Sequence, residues 1–279
     1  MTSTAGIRFW QPVPEADADF VCASLEPRAG PSHIHEEWQF GVVENPSKLS
    51  VGAYTRYDAS VNDITIVPPY AVHGEGSTVG PAPKWHILYV GSSTVSRLYR
   101  GQAPHFVRPV VTDPAAAARL RELLSQSNGG NMAGAEFLRQ VDHWLGEFLV
   151  QHAEAAVASR RTSTVERARA YLQSRPTESI TSREVSAIAG VTLSHLVRSF
   201  SRRVGLPPSS YHAQVRLARA RRLLAEGKSA TWVAYECGFA DQSHLSRRFK
   251  ECHGVTPGAF QAQYRAQRSP LEIVEPTAA

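Results

Sequence analysis

The feature that most constrains this chain is a pattern in its second half that occurs twice. Residues 185–211 match residues 233–260, with an offset of 48 residues up to the pair Gly190 and Gly238 and of 49 residues beyond it. The further matched pairs are Leu196 with Leu245, Phe200 with Phe249, Gly205 with Gly254, and Pro208 with Pro257. A repeat that keeps its apolar and glycine positions indicates two copies of one supersecondary unit.

Each copy predicts a helix, a tight turn and a second helix. In the later copy, residues 231–237 form a short amphipathic pattern, and Gly238 suits a turn with positive φ, which glycine adopts without a Cβ clash. Asp241 is predicted to be an N-cap, and Leu245 and Phe249 mark the buried side of the next helix. This order is typical of a helix-turn-helix unit that presents its second helix to DNA.

The segment between the copies predicts one long helix over residues 209–226, after two prolines and before Gly227. Residues 164–266 as a whole resemble the DNA-binding domain of the AraC/XylS family of bacterial transcription regulators. The residues that carry this resemblance are Arg216 to Leu224, Val233-Ala234, Gly238-Phe239, Ser243-His244-Leu245, Arg248-Phe249-Lys250, Gly254 and Thr256-Pro257. The resemblance implies a domain of seven helices, in which a rigid linker helix joins two helix-turn-helix units.

The positive charge of the chain is concentrated in the same region. Residues 161–279 contain 18 Lys and Arg against 9 Asp and Glu, a net charge of +9, whereas residues 1–100 have a net charge of −3 and residues 101–160 of −1. A basic region attracts phosphates and releases counterions, which gives affinity for DNA of any sequence. The run of Arg219, Arg221 and Arg222 on the predicted linker helix is interpreted as part of this basic patch.

The exposed sides of the two recognition helices are predicted to contact DNA. The candidate contacts are Ser194, His195, Val197, Arg198, Ser201 and Arg202 in the first helix, and Gln242, Ser243, His244, Ser246, Arg247 and Lys250 in the second. Arg198 and its repeat equivalent Arg247 suit guanine, and Gln242 suits adenine. Arg202 and Lys250 lie further along and are expected to contact phosphates. The helices are expected to read major-groove segments one helical turn apart, ~34 Å.

The first 110 residues predict a β-domain, because short runs rich in Val, Ile and aromatic residues alternate with Pro, Gly and Asn clusters. The predicted strands are Phe20 to Leu25, Trp38 to Val43, Leu49 to Tyr54, Asp63 to Val67, Trp85 to Val90 and Phe106 to Val111. Residues 30–35, with a His-x-His pair, and residues 68–73, with a proline before a strand-ending histidine, resemble the two motifs of a cupin barrel. The predicted fold class is therefore α+β with two domains: an N-terminal cupin-like β-barrel with a helical hairpin, and a C-terminal all-α domain with two helix-turn-helix motifs.

The histidines of these motifs are candidates for an effector site. Alternate residues of a strand point to one side, so His33 and His35 are predicted to share an interior with His73. The predicted pocket for a small-molecule effector is lined by His33, His35, Trp38, His73 and Trp85. The metal-binding cupin pattern has a Glu four residues after its second histidine, where this chain has Gln39, so no metal ion is predicted.

Two helices are predicted between the domains, one starting at Pro114 and one over Ala135 to Ala158. Their apolar stripes suit packing on the β-domain and a homodimer seam alike. The predicted organisation is an effector-sensing domain at residues 1–110, this hairpin at 111–160, the DNA-binding domain at 161–268 and a disordered tail at 269–279.

Composition narrows the class of function further. No apolar run approaches the ~20 residues of a membrane helix, and no signal-peptide layout opens the chain, so a cytoplasmic protein without membrane contact is expected. The three cysteines, an odd number without metal-like spacing, are expected to be free thiols. Neither a nucleophile elbow nor a phosphate loop nor a cofactor fingerprint is found, so the chain is predicted to be no enzyme and to need no cofactor.

The predicted function is a sequence-specific transcription regulator under the control of a small-molecule effector. Its expected partners are double-stranded DNA, the effector and, by the family resemblance, RNA polymerase, while the sequence leaves activation or repression open. One alternative is a metal-dependent cupin enzyme fused to a DNA-binding module. The other is an architectural protein that bends DNA without sequence choice.

Overall fold

The computed structural model describes residues 8–10, 20–25, 32–53, 55–76, 84–128, 132–155 and 163–268. Over this part of the chain, an N-terminal β-domain with a helical hairpin is followed by an all-helical C-terminal domain, which confirms the predicted two-domain α+β fold. None of the described helices combines the length and the apolar character that a bilayer crossing requires. The predicted disordered tail lies outside the described residues.

The described strands all precede the C-terminal domain. They are β1 (Arg8–Trp10), β2 (Phe20–Leu25), β3 (Trp38–Val43), β4 (Ser47–Val51), β5 (Thr55–Ala59), β6 (Asp63–Val67), β7 (His73–Gly76), β8 (Trp85–Val90), β9 (Pro104–His105), β10 (Val110–Thr112) and β11 (Glu154–Ala155). The helices are α1 (Ser92–Leu98), α2 (Pro114–Asn128), α3 (Gly134–His152), α4 (Thr164–Gln173), α5 (Ser182–Ala189), α6 (Leu193–Val204), α7 (Pro208–Ala225), α8 (Ala230–Glu236), α9 (Gln242–His253) and α10 (Pro257–Arg268).

The β-domain is organised around an antiparallel sheet with the strand order β1-β2-β8-β3-β6-β10. A second antiparallel sheet has the order β5-β4-β7, and β9 pairs with β11. Strands β3 and β6 are buried along their whole length, since both faces of the central sheet are covered. Burial on both faces explains why these strands are nearly continuous apolar runs in the sequence.

The hairpin of α2 and α3 packs on one face of the central sheet. Six apolar residues of α3, including Trp144 and Phe148, share a cluster with Trp38 and Phe40 of β3. Phe40 meets Trp144 edge to face, with 5.9 Å between ring centroids, and the Trp144 Nε1 donates to the backbone oxygen of Ala116 at 2.9 Å. The packing role predicted for these apolar stripes is confirmed, and this contact buries them within one chain.

The C-terminal domain contains the predicted repeat, with α5 and α6 as one unit, α8 and α9 as the other, and α7 between them. Gly190 and Gly238 hold the turns with φ of 71° and 68°, and Gly205 and Gly254 end the recognition helices with φ of 96° and 75°. These are left-handed conformations that side chains with a Cβ rarely adopt. The tertiary equivalence of the two copies thus follows from positions that were visible in the sequence.

Two predicted strands differ from the structure because local turns and pairing decide their ends. The strand predicted over Leu49 to Tyr54 is Ser47–Val51, since the chain turns at Gly52 with φ of 70°. The predicted strand at Phe106 to Val111 is the shorter β10, which pairs with β6.

Three further elements depart from expectation. Between the predicted strands Trp85 to Val90 and Phe106 to Val111, where no helix was predicted, the chain forms α1. His73 starts β7 instead of ending a strand, because it pairs with Val51 of β4 and forms an isolated bridge with His33. Helix α3 ends at His152 and not at Ala158, because the next residues pair with β9.

The two domains pack against each other at several points. Phe9 of β1 meets Phe260 of α10 with 5.1 Å between ring centroids, and the hydroxyl of Tyr211 in α7 donates to the backbone oxygen of Tyr70 at 3.2 Å. At the end of α6, a Cβ on Gly205 would lie 2.9 Å from the backbone oxygen of Gly52. The N-terminal domain therefore contacts the first helix-turn-helix unit, the linker helix α7 and α10.

Candidate nucleic-acid interface and sensor site

The recognition helices α6 and α9 each bury one side and expose the other. Leu196 and Phe200 of α6, and Leu245 and Phe249 of α9, are fully buried. Thr192 and Asp241 begin the two helices as N-caps, whose side-chain oxygens accept from backbone amides at 3.3 Å and 2.7 Å. Because the N-caps and the buried positions of α6 correspond to those of α9, both helices turn the same side toward the core. Residues that match in the repeat therefore face outward in both helices.

The predicted DNA contacts all lie on accessible parts of these helices. Exposed are Ser194, His195, Val197, Arg198, Arg202, Gln242, Ser243, Arg247 and Lys250, and half-buried are Ser201, His244 and Ser246. The amide oxygen of Gln242 accepts from the Thr231 hydroxyl at 2.8 Å, which orients its amide group. The ring of His244 lies against Phe239 with 5.4 Å between centroids.

The basic side chains on these faces differ in whether they form ion pairs within the protein. Arg203 of α6 is paired with Glu166 at 3.3 Å, and Arg248 of α9 is paired with Glu251 at 2.9 Å. Within the described part of the chain, by contrast, Arg198, Arg202, Arg247 and Lys250 have neither a hydrogen bond nor an ion pair. These four cations are free to meet an external anion.

A surface groove of about 470 Å³ adjoins α6 at the start of α4. It is lined by Ser163, Thr164, Val165, His195, Ser199, Arg202 and Arg203. Two of the predicted DNA contacts, His195 and Arg202, are among these residues. The groove therefore extends the polar, basic surface of the first recognition helix toward α4.

The linker-helix arginines require a correction. Arg221 is buried, with 4% of its surface exposed, and is paired with Glu37 of the β-domain. Arg222 is paired with Glu36 at 3.4 Å. The interpretation of this run as part of a DNA-facing patch is wrong for these two residues, because their helix face packs on the β-domain and its carboxylates neutralise them.

The three predicted sensor histidines come together in the structure. The rings of His33 and His73 are 4.3 Å apart and those of His35 and His73 are 4.7 Å apart, measured between centroids. His253 of α9, which was not predicted, lies 6.2 Å from His33. The cluster therefore lies at the contact between the β-domain and the second helix-turn-helix unit.

The tautomer of His35 follows from its contacts. Its Nδ1 is 2.7 Å from the backbone oxygen of Glu37 and its Nε2 is 3.1 Å from the side-chain oxygen Oε1 of Gln39. Burial, and then the charge that His73 would carry, lower the pKa of His35 well below its usual value, so the ring is neutral. A neutral imidazole has one N–H and both neighbours are oxygens, so the ring donates from Nδ1 to the nearer oxygen, that of Glu37.

The two predicted pocket tryptophans do not join the histidines. Trp38 faces the hairpin side of the sheet, where its ring is stacked 6.4 Å from Phe40. Trp85 faces the same side of β8 as Tyr89, which contacts His35, but lies at the opposite end of that strand. Its Nε1 is buried without a hydrogen-bond partner in the described structure. Among the described residues, no group of three or more His, Cys, Asp or Glu is arranged to hold a metal ion.

Comparison with known families assigns both halves of the chain. The AraC-like ligand-binding domain matches residues 23–141, and a helix-turn-helix domain matches residues 185–263. The chain is an AraC-type transcription regulator. Its ligand-binding domain is the N-terminal one, and the alternative of a cupin enzyme receives no support from these matches.

Relatives of this AraC-type regulator agree with the assignment. The HTH-type transcriptional regulator YbfI of Bacillus subtilis is 24% identical over 224 residues, which cover 76% of this chain and 80% of that protein. The structure of Vibrio cholerae ToxT with a bound unsaturated fatty acid superposes with a TM-score of 0.60 at 13% identity, over 90% of this chain and 98% of ToxT. Another ToxT crystal structure gives a TM-score of 0.55 at 14% identity, over 88% of this chain and 99% of ToxT. At such identity the likeness to ToxT shows a shared fold.

Sequence reasoning missed the polar residues that join the two domains. The sequence patterns assign no role to Glu36, Glu37 or His253. The partners of the buried Glu37–Arg221 pair are 184 residues apart in sequence. No local pattern links residues at that separation, so only the tertiary structure reveals the pair.

Proposed function

We propose that this regulator binds duplex DNA through α6 and α9, which read two successive major-groove segments on one face of the duplex. The observation that carries the proposal is the state of Arg198 and Arg247. They are equivalent in the repeat, both are exposed, and neither has an ionic partner in the described structure. An exposed guanidinium on a recognition helix suits bidentate hydrogen bonding to guanine.

The neighbouring cations are proposed to contact phosphates. Arg202 and Lys250 lie one turn beyond the base-reading positions of their helices and are exposed and unpaired over the described residues. The groove beside α4 adds His195 and Arg203 to the same surface. Phosphate contacts fix the position of the protein on DNA but carry no sequence information.

The Arg247→Ala variant tests the base-reading assignment. We expect it to weaken binding to a duplex selected from a random library by ~1–3 kcal/mol and to relax the preference at one base pair. Lys250→Ala is expected to weaken binding to the selected duplex and to random DNA alike. Both effects are measured by fluorescence anisotropy with competitor DNA at fixed salt.

Arg108→Ala is the matched control, because Arg108 is an exposed arginine in the N-terminal domain. An equal loss of Arg247→Ala affinity for selected and random duplexes would contradict base reading. If the wild-type protein preferred its selected duplex by much less than ~10³-fold, the architectural alternative would replace the proposal.

We also propose that the effector binds in the N-terminal domain near His33, His35 and His73. Their proximity supports this site, as does the unpartnered Nε2 of His73. ToxT, which has the same fold, has been solved with an unsaturated fatty acid bound, but 13% identity transfers no ligand chemistry. A thermal-shift screen of small metabolites tests the site, since ligands that stabilise the wild type should not stabilise His73→Ala to the same extent.

Three further partners or properties are proposed. A cytoplasmic location and a contact with RNA polymerase rest on the family alone, and transcription in vitro with purified polymerase tests the latter.

A homodimer is proposed through the outer surface of the α2–α3 hairpin. What supports it is a groove of about 470 Å³ between the two helices, lined by Ala118, Arg119, Glu122, Leu123, Gln140, His143 and Trp144.

A further inference from the structure

The β-domain holds the linker helix α7 through a buried ion pair. The guanidinium of Arg221 is paired with the carboxylate of Glu37, and both side chains are at most 10% exposed. The same guanidinium lies 4.8 Å above the ring of Tyr89 in β8. Removing one member of a buried ion pair leaves the other charge buried without its counter-charge, so loss of Glu37 would destabilise the docked position of Arg221.

Neighbouring contacts anchor the same helix face. Arg222 is paired with Glu36, and Tyr211 donates to the backbone oxygen of Tyr70. Tyr70 has a φ of 58°, a left-handed conformation that is strained for a residue with a side chain. The strained residue is thus held in place by the contact with α7, among other hydrogen bonds.

The histidine cluster is directly connected to this ion pair. His35 donates to the backbone oxygen of Glu37, so one short segment carries both the cluster and the carboxylate. His253 brings a ring from the C-terminal domain to within 6.2 Å of His33. The Nε2 atoms of His73 and His253 are buried and have no hydrogen-bond partner in the described structure, which leaves them able to accept a proton.

A positive charge on these imidazole rings would be repelled by the guanidinium of Arg221. The charged and titratable groups that face Arg221 are Glu36 and Glu37 before β3, His35 in the same segment, His73 of β7, Tyr89 of β8, and Cys252 and His253 of α9. His33 lies beside His35, His73 and His253. Burial lowers the pKa of His35, His73 and His253, and the charge of Arg221 lowers each further. The docked arrangement therefore requires neutral rings.

We propose that the Glu37–Arg221 pair is a latch that docks the DNA-binding domain on the N-terminal domain, and that charging the histidine cluster releases it. When the two domains separate, the imidazole rings become exposed to water and can bind protons. The guanidinium of Arg221 is then hydrated as well. The cluster shares His33, His35 and His73 with the proposed effector site, but the latch and its release by protons require neither a bound effector nor DNA.

The test uses the full chain without any ligand. Glu37→Gln removes the charge of the latch and keeps its shape, whereas Glu147→Gln, the matched control, removes the exposed pair of Arg119 and Glu147 on the hairpin. The radius of gyration from solution scattering and hydrogen exchange in α7 are measured at about pH 7.5 and about pH 5, with exchange corrected for its intrinsic pH dependence.

The expected result has two parts. At about pH 7.5, Glu37→Gln should have a larger radius of gyration and exchange in α7 about fivefold or more faster than the wild type, with α3 unchanged. At about pH 5, the wild type should show the same changes. Glu147→Gln should match the wild type at both pH values. If Glu37→Gln had the radius of gyration and the α7 exchange rate of the wild type at about pH 7.5, the latch would be overturned.

A second variant keeps the proposal testable if Glu37→Gln does not fold. His253→Phe removes one ring that can gain charge and keeps an aromatic side chain against Phe249, whose ring centroid lies 4.5 Å from that of His253. We expect this variant to stay docked to a lower pH than the wild type. A wild type that stays docked at about pH 5, or an equal loss of docking in both proteins, would overturn the release mechanism.

Discussion

At the scale of single residues, arginine side chains have different roles in this protein, depending on whether they are exposed or buried. Arg198 and Arg247 are exposed and have no partner within the described structure, whereas Arg221 is buried against Glu37. Composition alone treats the three as one basic patch. Their environment decides whether the charge is available to DNA or is neutralised within the protein.

The turn glycines provide a test at the residue scale. Gly238→Ala should lower the free energy of unfolding by about 1–2 kcal/mol, because its φ of 68° is unfavourable for a residue with a Cβ. The new Cβ would also lie 3.3 Å from the backbone oxygen of Thr177. Urea unfolding followed by circular dichroism measures the change.

Gly258→Ala is the control for this measurement. Gly258 lies in α10, and a Cβ there would meet no atom within 4 Å. Alanine should therefore stabilise the protein by up to about 1 kcal/mol, by its higher helix propensity. Equal effects of the two substitutions would contradict the role of the turn conformation.

At the scale of elements, the hairpin shows how packing limits what a helix can offer to a partner. The apolar side of α3, from Phe137 to Leu149, is buried on the central sheet. Its outer side has ion pairs, such as Arg97 with Asp142. A homodimer through the hairpin must therefore use the groove between α2 and α3, and not the apolar stripe.

The proposed homodimer can be tested at this groove. Ala118 is exposed on α2 and lines the groove, so Ala118→Arg should shift the full chain from dimer to monomer at micromolar concentration. Sedimentation velocity measures the shift. Ala103→Arg, at an exposed loop position, should leave the association unchanged. A wild-type protein that is monomeric under these conditions would rule out the dimer.

At the scale of the whole molecule, the N-terminal domain contacts both helix-turn-helix units, the linker helix α7 and α10. It contacts the first unit at Gly205, the linker helix at Tyr211 and Arg221, the second unit at His253, and α10 at Phe260. A change in the N-terminal domain therefore has direct physical routes to both recognition helices, which is what effector control requires.

The pH dependence of stability is a prediction for the whole molecule. Burial lowers the pKa of His73 from 6.5 to about 4. The unfolded chain therefore binds the proton first as the pH falls, so the contribution of His73 is complete above pH 6.5 and is lost toward pH 4. The loss should be at most about 3 kcal/mol for this residue.

Urea unfolding across this pH range measures the effect. His73→Leu should flatten the decline, whereas His143→Gln, at an exposed position of α3, should leave it unchanged. A wild-type free energy of unfolding that stays constant from about pH 6.5 to about pH 4 would contradict the burial of neutral histidine.

Much of the fold was predictable because its determinants are local. Helix caps such as Asp241, turn glycines such as Gly238 and the spacing of Leu245 and Phe249 act within a few residues of each other. Strand ends were less predictable, since the start of β7 at His73 depends on pairing with Val51. Of the proposed effector residues, the histidines could be grouped from strand periodicity, but the facing of Trp38 depended on which side of the sheet the hairpin covers.

The sequence by itself determined the repeated DNA reader, the side of each recognition helix that is buried and the β-rich domain that precedes it. These follow from periodicity and backbone sterics, which are short-range. Only the tertiary structure decided that Arg221 and Arg222 face the N-terminal domain, that His253 joins the sensor histidines and that Trp38 lies away from them. Ion pairs and ring contacts of this kind join residues far apart in the chain, and they form only when packing removes them together from water.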